Sequence, residues 1–137
     1  MIITHEKWDH NRWPNFGPGE FACTHTQKLQ MEDFFLDFVQ NIRNDLDGPL
    51  VISSGFRDAT HPVEAGKERP GTGTHCLGIA CDVVCEGGNA LRILNHAYLN
   101  NVQGVGVQQA GKGRFLHLDL ARPDTNRPRP HLWSYRD

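Results

Sequence analysis

The segment Ile79-Ala80-Cys81-Asp82-Val83-Val84-Cys85 sets the hardest condition on this chain. Its apolar, partly β-branched character reads as a buried strand, yet an acidic residue stands in its middle. An ionised carboxylate inside such a strand is costly unless a partner compensates it. Any fold for this sequence must therefore bring a backbone donor or a cation to Asp82.

The flanking pattern defines the rest of the architecture. A helix is expected from about Gln27 to Asp47, where Leu29, Phe34, Phe35, Phe38, Val39, Ile42 and Leu46 recur at helical spacing. Thr24 or Thr26 would cap it, and Gly48-Pro49 would stop it. Residues 49–53 read as a short strand. The Gly- and Pro-rich stretch 54–73 reads as a loop of a length that is often functional. A second helix is expected over about 89–99, with Ala90, Leu91, Leu94, Ala97 and Tyr98 on one face. Residues 104–107 and 114–120 read as strands joined by the hairpin residues Gly111-Lys112-Gly113. The opening to Gly19 is read as irregular, pinned by Trp8, Trp13 and Phe16, and the end as a Pro/Arg-rich finish. The order gives an α+β fold, with a small, mostly antiparallel sheet and flanking helices, and residues 1–137 as a single domain.

Charge and composition exclude some classes. The formal net charge is −2, and no block of like charges provides a basic footprint for nucleic acid. No apolar run approaches the roughly 18 residues of a membrane span, so membrane insertion is not expected. The first ten residues are too polar for the core of a signal peptide, which gives the expectation of a cytoplasmic protein. Cys23, Cys76, Cys81 and Cys85 show no CxxC spacing and are expected to be free thiols. A monomer is expected.

Most of the eight histidines must be ordinary surface or packing residues. Grouping with carboxylates singles out two. His75 precedes Asp82 by seven positions, with Gly78 between them to let the backbone turn. His117 and Asp119 stand two apart on a strand and so share a face. Two imidazoles and a carboxylate converging on one point make a three-ligand zinc site with a fourth position open, the catalytic arrangement. In the competing reading Asp82 pairs with a backbone group and His117 is a surface histidine. Arg57 ends the turn Ser53-Ser54-Gly55-Phe56-Arg57. Its planar fork suits a carboxylate or a developing oxyanion, although pairing with Asp58 is the simpler alternative.

Taken in order, ISSGFRDATHP, GTGTHCLGIACDV, GVGV and GRFLHLDLA resemble the zinc D-Ala-D-Ala carboxypeptidase/endopeptidase family, which shares its fold with hedgehog domains. The resemblance runs from about Phe16 to Tyr135, and its opening and closing motifs are similar to a compact subfamily often carried by phages. It implies a zinc ion on His75, Asp82 and His117. It implies that Arg57 holds a substrate carboxylate or steadies the tetrahedral intermediate, and that Ser54 or Thr74 touches substrate. The substrate it implies is a peptidoglycan peptide, reached through phage lysis or from a virion. Several relatives place an acidic residue or histidine two or three positions before the last ligand. Here Phe115 and Arg114 stand there, so Asp119 becomes the candidate to direct the water proton, or else to orient His117. His131 is an outside candidate for the same task. Relatives often have asparagine after the loop histidine, where this chain has Pro62 after His61. Two other readings stay open: a zinc-binding but inactive structural module, for example of a phage particle, and a metal-free binding domain.

Overall fold

Strand pairing organises the structure, a computed structural model that describes residues 1–135. Two short strands, β1 (Ile2–Ile3) and β2 (Met31–Glu32), pair antiparallel near the start. The helix α1 (Asp33–Asp45) follows β2 directly. The main sheet has five strands: β3 (Val51–Ser54), β4 (Ala80–Val84), β5 (Gly104–Gln108), β6 (Phe115–Asp119) and β7 (His131–Ser134). Their spatial order is β3-β4-β6-β5-β7. All neighbours are antiparallel except β5 and β7, which run parallel. A one-turn helix, α2 (Pro62–Ala65), interrupts the long loop, and α3 (Gly87–Leu99) connects β4 to β5.

The register divides the sheet into two faces. Cys81 and Val83 of β4, Leu116 and Leu118 of β6, and Val105 of β5 are buried in the hydrophobic core with residues of α1 and α3. The alternate residues point the other way. On that second face the register aligns one row across all five strands: Ser54, Asp82, His117, Gly106 and Trp133 are successive cross-strand partners. Asp82 thus escapes the apolar core although its neighbours on both sides enter it.

Several sequence expectations need correction. α1 begins at Asp33 rather than Gln27, because residues 31–32 are taken up in pairing with β1. Glu32, not Thr24 or Thr26, occupies the cap position. Phe34, assigned to the apolar face, is 48% exposed. The buried face of α3 is turned from the expected one: Ala90, Ile93 and Ala97 are buried, while Leu91 and Tyr98 are exposed. The Pro/Arg-rich finish contains a short, mostly exposed strand, β7. The pinning aromatics behave as expected, with Trp13 and Phe16 buried and Trp8 packed against them. The four cysteines are free. Among the described residues no helix is long and apolar enough to cross a membrane.

The orientation of α3 gives a direct test. Ile93→Ala should lower the unfolding free energy by about 2–5 kcal/mol, the usual cost of truncating a buried aliphatic side chain. Leu91→Ala should change it by less than about 0.5 kcal/mol. Urea unfolding of both variants would show it, and a larger loss from Leu91→Ala would contradict the orientation.

Candidate metal centre

Gly78 makes the first ligand possible. It takes a left-handed conformation, φ +72°, and a Cβ there would run into the carbonyl oxygen of Gln30. The turn it permits places His75 beside the sheet just before β4 carries Asp82 across it. Directly opposite Asp82 on β6 stands His117. His75 Nε2 lies 3.4 Å from Asp82 Oδ1, His117 Nδ1 lies 3.3 Å from the same oxygen, and the two ring nitrogens are 3.3 Å apart. The structure therefore brings His75, Asp82 and His117 to one point.

Hydrogen bonds on the far side of each ring fix what faces inward. The Gly55 carbonyl can only accept, so His75 Nδ1–H donates to it at 2.8 Å. The Asp119 carboxylate likewise accepts from His117 Nε2–H at 2.7 Å. In the neutral rings, His75 Nε2 and His117 Nδ1 then carry lone pairs. The third corner is Asp82 Oδ1, a buried oxygen with no hydrogen-bond partner among the described residues. Three acceptors face one another with no donor between them, which is unfavourable without a cation. Atoms held about 2.0–2.1 Å from a tetrahedral zinc ion lie about 3.3–3.4 Å apart. The observed triangle has that edge, so the residues fit zinc.

The electrostatics agree. Burial would lower the His117 pKa, but the carboxylates of Asp119 and Asp82 outweigh it and raise the value. Burial would raise the Asp82 pKa, but the nearby imidazoles of His117 and His75 hold it below the usual carboxylate range. The pocket thus favours positive charge, and without metal a proton on His117 would supply it.

Asp119 sits differently from the expectation that it directs a water proton. It is fully buried behind His117, on the ring's opposite nitrogen from Asp82. Its Oδ1 accepts from Ala121 N and Arg129 Nε, and its Oδ2 from His117 and Arg129 Nη2. With both oxygens committed, it suits the orienting role and not the proton-accepting one. His131 is also misplaced for that task, since it lines a separate apolar hollow with Leu91, Leu94 and Tyr98.

Arg57, Thr74 and the three ligand candidates line one cleft of about 440 Å³. Arg57 Nη2 donates to Ser54 Oγ at 3.3 Å. Its acidic neighbour is not Asp58, which binds Thr60, but Glu64 on α2, 3.8 Å away. Sequence reasoning missed Glu64. It is fully buried, with Oε2 2.8 Å from Lys67 Nζ and Oε1 without a hydrogen bond among the described residues. Burial would raise its pKa, but Lys67, Cys76 and Arg57 lower it overall, and in return burial and Glu64 push the Cys76 thiol up to about 12. The available signal was a Pro-started turn with Glu three residues before Lys. Also missed were Trp133 and Tyr135, which wall the cleft, and Arg129.

The model of a family described as Peptidase M15 matches residues 14–119. No curated protein and no solved structure matches the chain.

Metal binding should be visible without any substrate. At about 100 times its Kd, zinc should stabilise the folded protein by about 2.7 kcal/mol, read as a rise in melting temperature that a chelator reverses. His75→Ala, Asp82→Ala and His117→Ala should each abolish most of that rise. Retention of the full rise in any two would contradict the ligand set. Because His117 holds its proton more tightly than usual, binding should weaken as pH falls and zinc uptake should release protons.

Proposed function

The chain belongs to the peptidase M15 family, and on that premise we propose that it is a zinc peptidase that hydrolyses peptide bonds in peptidoglycan stem or cross-bridge peptides. The observation that carries the chemistry is the donor-free triangle of His75 Nε2, Asp82 Oδ1 and His117 Nδ1. Bound there, zinc would supply an activated water near neutral pH and polarisation of a carbonyl.

The chain's own residues do the rest. His75 and His117 keep their inward lone pairs because Gly55 O and Asp119 fix their other nitrogens. Asp82 contributes the negative ligand from β4. Arg57, steadied by Ser54 and balanced by Glu64, lines the same cleft and binds either the substrate carboxylate or the oxyanion that develops on the attacked carbonyl. Lys67 adds a further cation at the cleft, neutralised in part by Glu64. Thr74 lies next to the first ligand, on the cleft wall, where its hydroxyl would meet substrate. A cleft lined by several cations and an aromatic wall suits an anionic peptide better than an apolar one.

One observation favours a second reading, an inactive zinc-binding module such as a particle component. Among the described residues the positions two and three before His117 carry no base: Phe115 packs on Tyr135, and Arg114 faces Glu86. Asp119 cannot stand in, being locked behind His117.

Digestion of purified peptidoglycan by the zinc-loaded protein, with released peptides identified by mass spectrometry, separates the two. Arg57→Ala should retain zinc and lose about 10²–10³-fold in kcat/KM, the usual loss for an electrostatic contact to the transition state. Asp119→Ala should lose zinc affinity together with turnover, whereas a base would lose turnover alone. A zinc-loaded wild type that releases no peptide from peptidoglycan of several cross-link chemistries would establish the inactive module.

A further inference from the structure

We propose that Arg129 is a positioning residue for the metal centre, acting through Asp119 on His117, with Trp133 holding its guanidinium in place; this rests on the metal-centre reading above. Arg129 also lines the cleft, and at first sight it belongs with Arg57 as a substrate-binding cation. Its hydrogen bonds point elsewhere. Nε donates to Asp119 Oδ1 at 3.0 Å and Nη2 to Asp119 Oδ2 at 2.7 Å, a two-pronged grip on one carboxylate. Nη1 donates to the Pro128 carbonyl at 2.7 Å. Every nitrogen of the guanidinium is engaged within the chain, and the side chain is only 6% exposed.

The grip fixes the plane of the Asp119 carboxylate. That carboxylate meets His117 Nε2 at 2.7 Å, so its plane sets the direction of the imidazole and hence of Nδ1 at the centre. Trp133 closes the arrangement from β7. Its ring lies 5.1 Å from the Arg129 guanidinium carbon and 5.2 Å from the His117 ring. The space for these groups comes from β5. A Cβ at Gly104 would collide with Asp119 Oδ2 and stand 2.6 Å from Arg129 Nε, and one at Gly106 would stand 2.7 Å from Trp133 Nε1. Glycines alternate with core valines in Gly104-Val105-Gly106-Val107 where the arginine and the tryptophan must fit.

The test uses the full chain and two variants, Arg129→Lys, which keeps the charge but not the fork, and Arg129→Gln. Zinc affinity is measured by competition with a chromophoric chelator, and the protonated nitrogen of His117 by ¹⁵N NMR. Wild type should bind zinc with His117 protonated on Nε2 in a single sharp signal. Both variants should fold, bind zinc about 10–100-fold more weakly, and show a shifted or broadened His117 signal. Unchanged affinity would overturn the proposal, as would weaker affinity with the His117 signal intact. Unfolding of both variants would assign Arg129 to fold stability and also overturn it. A wild type without zinc affinity would bring down the metal-centre reading itself, and that failure shows in the wild type and not only in the variants.

Discussion

Asp82 Oδ1, a buried oxygen facing two imidazole nitrogens with no hydrogen donor between them, is the constraint around which this protein is arranged. Removing a carboxylate from water is tolerated only where hydrogen-bond donors or a positive charge meet it. The surrounding geometry prevents the chain from supplying that charge with its own neutral groups. Gly55 O takes the proton-bearing nitrogen of His75, and Asp119 takes that of His117, which turns a bare nitrogen from each ring toward Asp82. A divalent cation resolves all three at once, and the spacing of 3.3–3.4 Å suits tetrahedral zinc.

The sheet makes this possible through its register. Ser54, Asp82, His117, Gly106 and Trp133 form a single row, so one face of a five-stranded sheet carries the site while the alternate residues build the core. A slip of one residue between β4 and β6 would move Asp82 away from His117 and turn its face inward. The core and the centre are therefore specified by the same alternation. Above this row the loop before β4 adds cations and a buried counter-charge, with Arg57 and Lys67 on either side of Glu64. Membership of the peptidase M15 family is consistent with a scaffold that holds a metal in this charged cleft.

Much of this was legible in the sequence because it rests on local patterns. The run around Asp82 announced both a strand and a need for a cation. His117 and Asp119 two apart announced a shared face. What the sequence concealed depends on contacts between distant segments. α1 starts late because Met31 and Glu32 pair with β1, a partner some thirty residues away that overrides the helical spacing begun at Leu29. The face of α3 was misjudged because Leu91 and Tyr98 share helical spacing with truly buried residues, and only packing decides between them. β7 is hidden in the sequence because it is four residues long and mostly exposed, and its place is set by pairing with β5 rather than by hydrophobicity. The role of Asp119 could not be decided without Arg129, ten positions on, whose fork commits both its oxygens. The glycines at 104 and 106 carried a readable sign of those missing side chains, since glycine on one face of a strand marks a close approach.

X-ray absorption spectroscopy of the zinc-loaded protein reads the ligand atoms of the metal themselves. Zinc on His75, Asp82 and His117 should show nitrogen and oxygen neighbours only, at about 2.0–2.1 Å, with more distant scattering from two imidazoles and no sulfur. A zinc–sulfur shell near 2.3 Å, or a shell of oxygens without imidazole scattering, would place the metal elsewhere and contradict a centre built from His75, Asp82 and His117.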